Sequence, residues 1–438
     1  MHLPDCDTIL NLLEPPGLAF ERDTLLEGRL SEIGPTLLRA HLPGVSLGEL
    51  CTLPGGDLAE VVGVEGDTAL LSPYQEPVGL SCGMLVRPGK RRPDIGVGAE
   101  LLGRVLDALG RPIDGLPAPC ATSRRDIEAD PPDPMTRKTI HSILPVGVRA
   151  VDAALTVGIG QRVGIFAPAG CGKSTLLGML SAGCEADVVV LALIGERGRE
   201  VREFLDNTLS AATRAHSVIV VATSDRPALE RLKAAATATT IAEYFRDQGQ
   251  RVLLLVDSLT RYARAVREIA LAAGEPIVGG GYPPSLYARL PRLLERAGPA
   301  ERGSITAFYT VLMEDRADPL AEEVRSLLDG HIVLSRKLAE ANHFPAIDVL
   351  ASVSRVMHQV ADEAHRAAAA RLRQLLAAWR EIELLVRVGE YRPGQDPDAD
   401  DAMARRAGIE AMLCQPVDEP CGFAQSLATL GETVGRQC

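Results

Sequence analysis

The stretch Gly164-Ile165-Phe166-Ala167-Pro168-Ala169-Gly170-Cys171-Gly172-Lys173-Ser174-Thr175 constrains this chain more than any other. An apolar run enters a glycine-bearing turn, and the turn leads into a helix start carrying Lys and Ser. That order of strand, loop and helix holds nucleotide phosphates: loop N–H groups point inward and the helix N-terminus adds positive potential. Lys173 is placed to reach the outer phosphates, and Ser174 can offer its hydroxyl to Mg²⁺. The common form G-x-x-x-x-G-K-[ST] has Gly where this chain has Ala167, a change tolerated if the position needs only a small side chain at negative φ. The spacing predicts a nucleoside triphosphate held by Ala169, Gly170, Cys171, Gly172, Lys173, Ser174 and Thr175.

Composition narrows the classes. At 438 residues there is room for two or three domains. The net charge of −12 argues against wholesale nucleic-acid binding, which needs a basic footprint. The nine cysteines are scattered without Cys-x-x-Cys spacing, so neither a zinc site nor a disulfide framework is expected, and a reducing cytosol fits. Asp5 and Asp7 stand where a signal peptide needs positive charge. No apolar run approaches the ~20 residues of a membrane span, so any membrane association is expected to be peripheral. The short piece 1–23, with Ile9-Leu10-Asn11-Leu12-Leu13 before Pro15-Pro16, reads as a docking segment or a frayed terminus.

Three regions follow. Residues 24–92 carry short apolar runs punctuated by Gly and Pro, which predicts a small β-barrel ending near Pro88–Pro93. Residues 93–358 alternate continuous apolar strands (162–166, 187–194, 217–223, 251–257 and 305–312) with helices, one of them opened by Pro227. This predicts an α/β domain with a largely parallel sheet covered on both faces. From about 359 to 438, Ala and Leu at helical spacing predict a helical domain.

Two further motifs sit at predicted strand ends. Leu253-Leu254-Leu255-Val256-Asp257 delivers a carboxylate to the edge where such sheets bind ligands, and Asp257 is suited to hold a water of the Mg²⁺ shell. Gly195-Glu196-Arg197-Gly198-Arg199-Glu200 follows the strand ending at Ile194, and Glu196 is the candidate to polarise an attacking water. Cys171, next to Lys173 and a helix N-terminus, is expected to be a low-pKa thiol that reagents reach and bound nucleotide protects.

Together with Pro345-Ala346-Ile347-Asp348-Val349-Leu350-Ala351-Ser352-Val353-Ser354-Arg355, these motifs resemble the rotary ATP synthase α/β superfamily. Within it the chain resembles the type III protein-export ATPases. That resemblance is carried by Gly103–Gly115, Gly147–Asp152, Thr223–Arg231, Tyr282-Pro283-Pro284-Ser285 and Leu290–Arg296, and it spans about Gly28 to Arg405. The family loop also has Ala at position 167, whereas Pro168 departs from its usual small residue, stiffening the loop and removing one N–H. The resemblance implies an N-terminal barrel, a RecA-like central domain and a C-terminal helical domain. It implies ATP and Mg²⁺ as cofactors, Lys173 stabilising phosphoryl charge and Glu196 activating water. Arg197 would be an electrostatic helper, Glu200 would help hold metal-bound water, and Phe344 would stack on adenine. Arg355 would be an arginine finger reaching the nucleotide of a neighbouring subunit in a homohexamer. The implied partners are a central stalk protein, a peripheral stator protein, chaperone–cargo complexes and a membrane export gate, with the chain cytoplasmic at the inner-membrane face.

Residues 37–51 look more like the injectisome branch than the flagellar one. A non-catalytic rotary subunit would lack the carboxylate at 196. A catalytic one would carry a different barrel and an Asp/Glu-rich run in its C-terminal helices. A ring-shaped RNA translocase would need aromatic, basic surfaces in the barrel, where residues 24–87 hold only Tyr74 as an aromatic.

Overall fold

The computed structural model describes residues 27–278, 280–313 and 318–436; the proposed docking segment 1–23 lies outside them. Six short antiparallel strands, β1 (Gly28–Ile33), β2 (Leu38–His41), β3 (Leu50–Thr52), β4 (Leu58–Glu65), β5 (Thr68–Pro73) and β6 (Leu85–Pro88), close into a barrel in the order β1-β2-β5-β4-β3-β6. Alternation drives this. In β2, Leu38 and Ala40 are buried while His41 is exposed, and with Leu30, Leu42, Val61, Leu71 and Val86 they fill the lumen. Closure leaves no unpaired strand edge. Gly28 is required where the ring shuts, since a Cβ there would lie 2.2 Å from the carbonyl oxygen of His41.

A two-stranded ribbon, β7 (Asp94–Val97) with β9 (Ser123–Asp126), follows the barrel, and β8 (Val105–Leu106) joins the edge of the main sheet. That sheet contains β10 (Arg162–Ala167), β11 (Val188–Ile194), β12 (Ser217–Ala222), β13 (Arg251–Asp257), β14 (Gly298–Pro299), β15 (Ser304–Leu312), β16 (Gly330–Val333) and β17 (Val353–Ser354). Its order is β17-β16-β10-β15-β13-β11-β12-β8, with β14 beside β15. It is parallel except where β17 meets β16 and β14 meets β15. Every residue of β11 is buried. Val190, Ala192 and Ile194 enter a core shared with the helices Ala228–Asp247 and Leu259–Ala272. Val189, Leu191 and Leu193 face the opposite core, shared with Lys173–Gly183. Burial on both faces explains why these strands read as uninterrupted apolar runs.

The C-terminal region forms three packed helices, Glu363–Arg387, Pro397–Leu413 and Phe423–Val434. Gln415 ties them to the nucleotide-binding region: its side chain accepts from the N–H of Arg149 (2.8 Å) and donates to the carbonyl of Gly147 (2.8 Å). A buried Lys233 ties the barrel down by donating to Glu60 of β4 at 2.7 Å.

Candidate active site

Parallel strands present their C-terminal ends on one edge, and the predicted residues arrive there from β10, β11 and β13. The loop after β10 turns through Gly170 and Gly172, whose φ of 80° and 79° favour glycine. Gly172 caps the helix Lys173–Gly183. Ala169, Gly170 and Ser174 are exposed, and Thr175 is half-buried.

Lys173 Nζ lies 2.5 Å from Asp257 Oδ1 and 3.4 Å from Glu196 Oε1, so one ammonium bridges acids delivered by two other strands. Burial works against the charged amine, but the two carboxylates outweigh it and hold Lys173 above its usual range. Glu196 is also pushed up. Burial is the main cause, and the charge of Asp257 and a hydrogen bond with Glu200 add to it against the pull of Lys173 and Arg261. Glu200, in the first turn of the helix Gly198–Glu203, pairs at 3.7 Å with a largely exposed Arg197. The ring of Phe344 leans on the loop, since a Cβ on Gly172 would stand 3.4 Å from it.

Arg355 does not join this cluster. Strand register places Ser354 opposite Gly330, and Gly330 level with Val163, at the start of β10. The phosphate loop begins after Ala167, roughly 13 Å further along at the usual strand rise. Arg355 is exposed at that far end, its N–H donating to the carbonyl of Asp329 (3.0 Å) and its Nη2 to the carbonyl of Arg325 (3.3 Å).

The expectation for Cys171 is overturned. Its side chain is 2 % exposed, and burial pushes the thiol up despite the nearby Arg336. Burial raises a thiol's pKa, and here it outweighs the helix terminus and the neighbouring cations.

Two residues at the site escaped the sequence reading. Thr310 of β15 donates through Oγ1 to Asp257 Oδ1 at 2.7 Å, orienting that carboxylate. Its signal was a hydroxyl close to the C-terminal end of a buried strand, the edge where the other site residues lie. Arg261 packs against Gly195, where a Cβ would come 3.0 Å from that of Arg261, and its charge favours ionised Glu196. It lies one turn into the helix capped by Ser258, directly after Asp257, a spacing that could have revealed it.

Among the described residues no cluster of three or more His, Cys, Asp or Glu could enclose a metal. Mg²⁺ keeps most of its water and takes one or two protein oxygens plus phosphate. The Ser174 hydroxyl and the Asp257 carboxylate fit that demand. No helix among the described residues is long and apolar enough to cross a membrane.

Residues 147–354 match the ATP synthase alpha/beta family, nucleotide-binding domain, and residues 361–432 match the T3SS EscN ATPase C-terminal domain. The chain is 59% identical over 400 residues to the SPI-2 type 3 secretion system ATPase of Salmonella typhimurium, covering 90% of this chain and 92% of the relative. The structure of the assembled ATPase EscN from enteropathogenic E. coli superposes with a TM-score of 0.90 at 52% identity, over 93% of this chain and 100% of that one. EscN in complex with its central stalk EscO matches with a TM-score of 0.87 at 51% identity, with the same coverage.

Proposed function

The chain belongs to the type 3 secretion system ATPases of the ATP synthase alpha/beta family, ATP-hydrolysing enzymes, and on that premise we propose how its residues divide the work. The observation that carries the reading is the bridge from Lys173 to both Asp257 and Glu196. When ATP enters, Lys173 exchanges the two acids for phosphate oxygens. That exchange frees Asp257 for the metal shell and Glu196 for the attacking water, so the base becomes competent only over bound nucleotide. Ser174 and Asp257 would hold Mg²⁺, with Glu200 helping to hold its bound water, and the ion would supply charge neutralisation at the phosphates. Loop N–H groups from Ala169 to Thr175 cradle the phosphates and Phe344 packs on the adenine. Arg261 and Arg197 support the negative charge around Glu196.

Arg355 acts on the nucleotide of the next subunit. Its place at the opposite end of the sheet from its own loop supports this, as does the assembled state of the similar EscN. Fingers of this kind contribute ~10³–10⁵ in rate, which is roughly 4–7 kcal/mol of barrier. The working unit is then a homohexamer around a central stalk, as the complex of EscN with EscO suggests by likeness. It would meet a peripheral stator and an export gate at the cytoplasmic face of the inner membrane. There, hydrolysis releases and unfolds chaperone-bound cargo. The flagellar branch is the neighbouring reading; the 59% identity to an SPI-2 secretion ATPase favours the injectisome.

Mixing tests the shared site. Lys173→Ala and Arg355→Ala chains, each inactive alone, should regain hydrolysis once co-assembled, because some interfaces then join an intact loop to an intact finger. Proven mixed rings without activity would remove the in-trans reading.

A further inference from the structure

We propose that Gln161 is a positioning residue for the reaction in the neighbouring subunit, holding the Ser354–Arg355 segment in place from the start of β10. This rests on the in-trans reading of Arg355 and adds a residue that the finger itself does not reveal.

Gln161 is fully buried, and both ends of its amide are used. Its Oε1 accepts from the N–H of Gly158 at 2.9 Å. Its Nε2 donates to the carbonyl of Asp329 at 2.9 Å and to Ser354 Oγ at 3.4 Å. The Asp329 carbonyl is the same oxygen that accepts the N–H of Arg355, and Ser354 Oγ in turn donates to the carbonyl of Thr156 at 2.8 Å. One buried side chain therefore reaches both the main-chain anchor of Arg355 and the side chain of the residue before it. The fit is close, since a Cβ on Gly330 would stand 2.7 Å from the carbonyl of Val353 and 3.0 Å from Gln161 Nε2. Next along the strand, Arg162 holds the Asp329 carboxylate with Nε and Nη2 at 3.0 Å each, so Asp329 is fixed from both its carbonyl and its carboxylate.

The guanidinium of Arg355 is itself exposed and lightly held, which suits a group that must cross to another molecule. Its precision then depends on the main chain beneath it. A displacement of ~1 Å in a catalytic group can cost about 10²-fold in rate. Because β10 also feeds the phosphate loop, one strand carries this chain's own nucleotide cradle at one end and the neighbour's finger at the other.

The test sorts Gln161→Leu into a complementation group. Alone, it should lose ~10–10²-fold in kcat, with ATP binding retained, as expected of a displaced finger. Co-assembled with Lys173→Ala, which keeps an intact finger, it should regain hydrolysis. Co-assembled with Arg355→Ala, it should not, because both chains then carry damaged fingers. The opposite pattern, or recovery in both or neither mixture, overturns the inference by placing the defect outside the finger. Ser354→Ala, which removes one of the two contacts, should sort the same way and decides the matter if Gln161→Leu does not fold. The Lys173→Ala with Arg355→Ala mixture is the control. If it fails, the shared-site reading falls and takes this inference with it; if it works while Gln161→Leu sorts with Lys173→Ala, only this inference falls.

Discussion

The two ends of the central sheet are built on opposite electrostatic terms. At the C-terminal edge, one buried lysine serves two acids: Lys173 is shared between Asp257 and Glu196, and Glu200 adds a further carboxylate beside Glu196. At the N-terminal edge, Asp329 is saturated by Arg162, and the guanidinium of Arg162 also reaches Glu295. The first arrangement is unsettled without a ligand, since phosphates can take the lysine and release the acids. The second is settled and serves as a mount. One strand, β10, runs between them, so in the proposed division of work the end that binds must be able to change and the end that presents Arg355 must not.

The largest effect should come from cutting one end at a time. Arg355→Ala is expected to lower hydrolysis by ~10³–10⁵ while leaving ATP binding nearly intact, whereas Lys173→Ala should lose both. Binding assays beside turnover assays check this, and equal loss of binding in both variants would erase the distinction between the ends. Glu196→Gln should cost ~10²–10⁴ in turnover with ATP still bound, in line with removal of a general base. Because Glu196 must be ionised to act and its pKa is raised, the acid limb of the rate profile should lie at higher pH than an ordinary glutamate would give. The pH profile of kcat/KM, which reports the nucleotide-free enzyme, measures that limb.

A third test concerns stability. Glu230 begins the helix after β12, on the same edge as the phosphate loop, and burial pushes its carboxyl up to about 7. A raised folded pKa means that the glutamate's contribution is fully present below 4.5 and is lost as pH rises through 7. Glu230→Gln should therefore be more stable than the parent at pH 8, by roughly 1–3 kcal/mol at ~1.4 kcal/mol per pKa unit. The gain should shrink toward pH 4.5, which denaturant melts across pH can follow. A gain that persists at low pH would show that charge is not the cause. The smallest effect is expected at Cys171. Thiol reagents should label the exposed Cys82 and Cys120 well before it, and Cys171→Ala should leave inactivation rates unchanged.

Much of the architecture was legible. Continuous apolar runs at 187–194 and 251–257 marked strands buried on both faces, and Pro227 marked a helix start that the structure places at Ala228. Alternating runs with Gly and Pro marked the barrel. The candidate site was legible where a motif places its residues locally, as in Ala169–Thr175. Thr310 and Arg261 were missed because each looked ordinary in its own segment. The behaviour of Cys171 was misread because proximity to a cation was visible and burial was not.

The chain's own order of residues determined a glycine-bearing turn between strand and helix, strand-end acids at Glu196 and Asp257, and an arginine after Ser354. Those follow from short-range rules, in which side-chain periodicity and glycine conformations act over a few residues. Only the tertiary structure decided that Lys173 touches acids 23 and 84 positions away, and that Arg355 stands at the far end of the sheet from its own loop. Sheet order β16-β10-β15-β13-β11 sets those neighbours. It arises from crossovers that pack helices against both faces, a global burial problem that no local run of residues encodes.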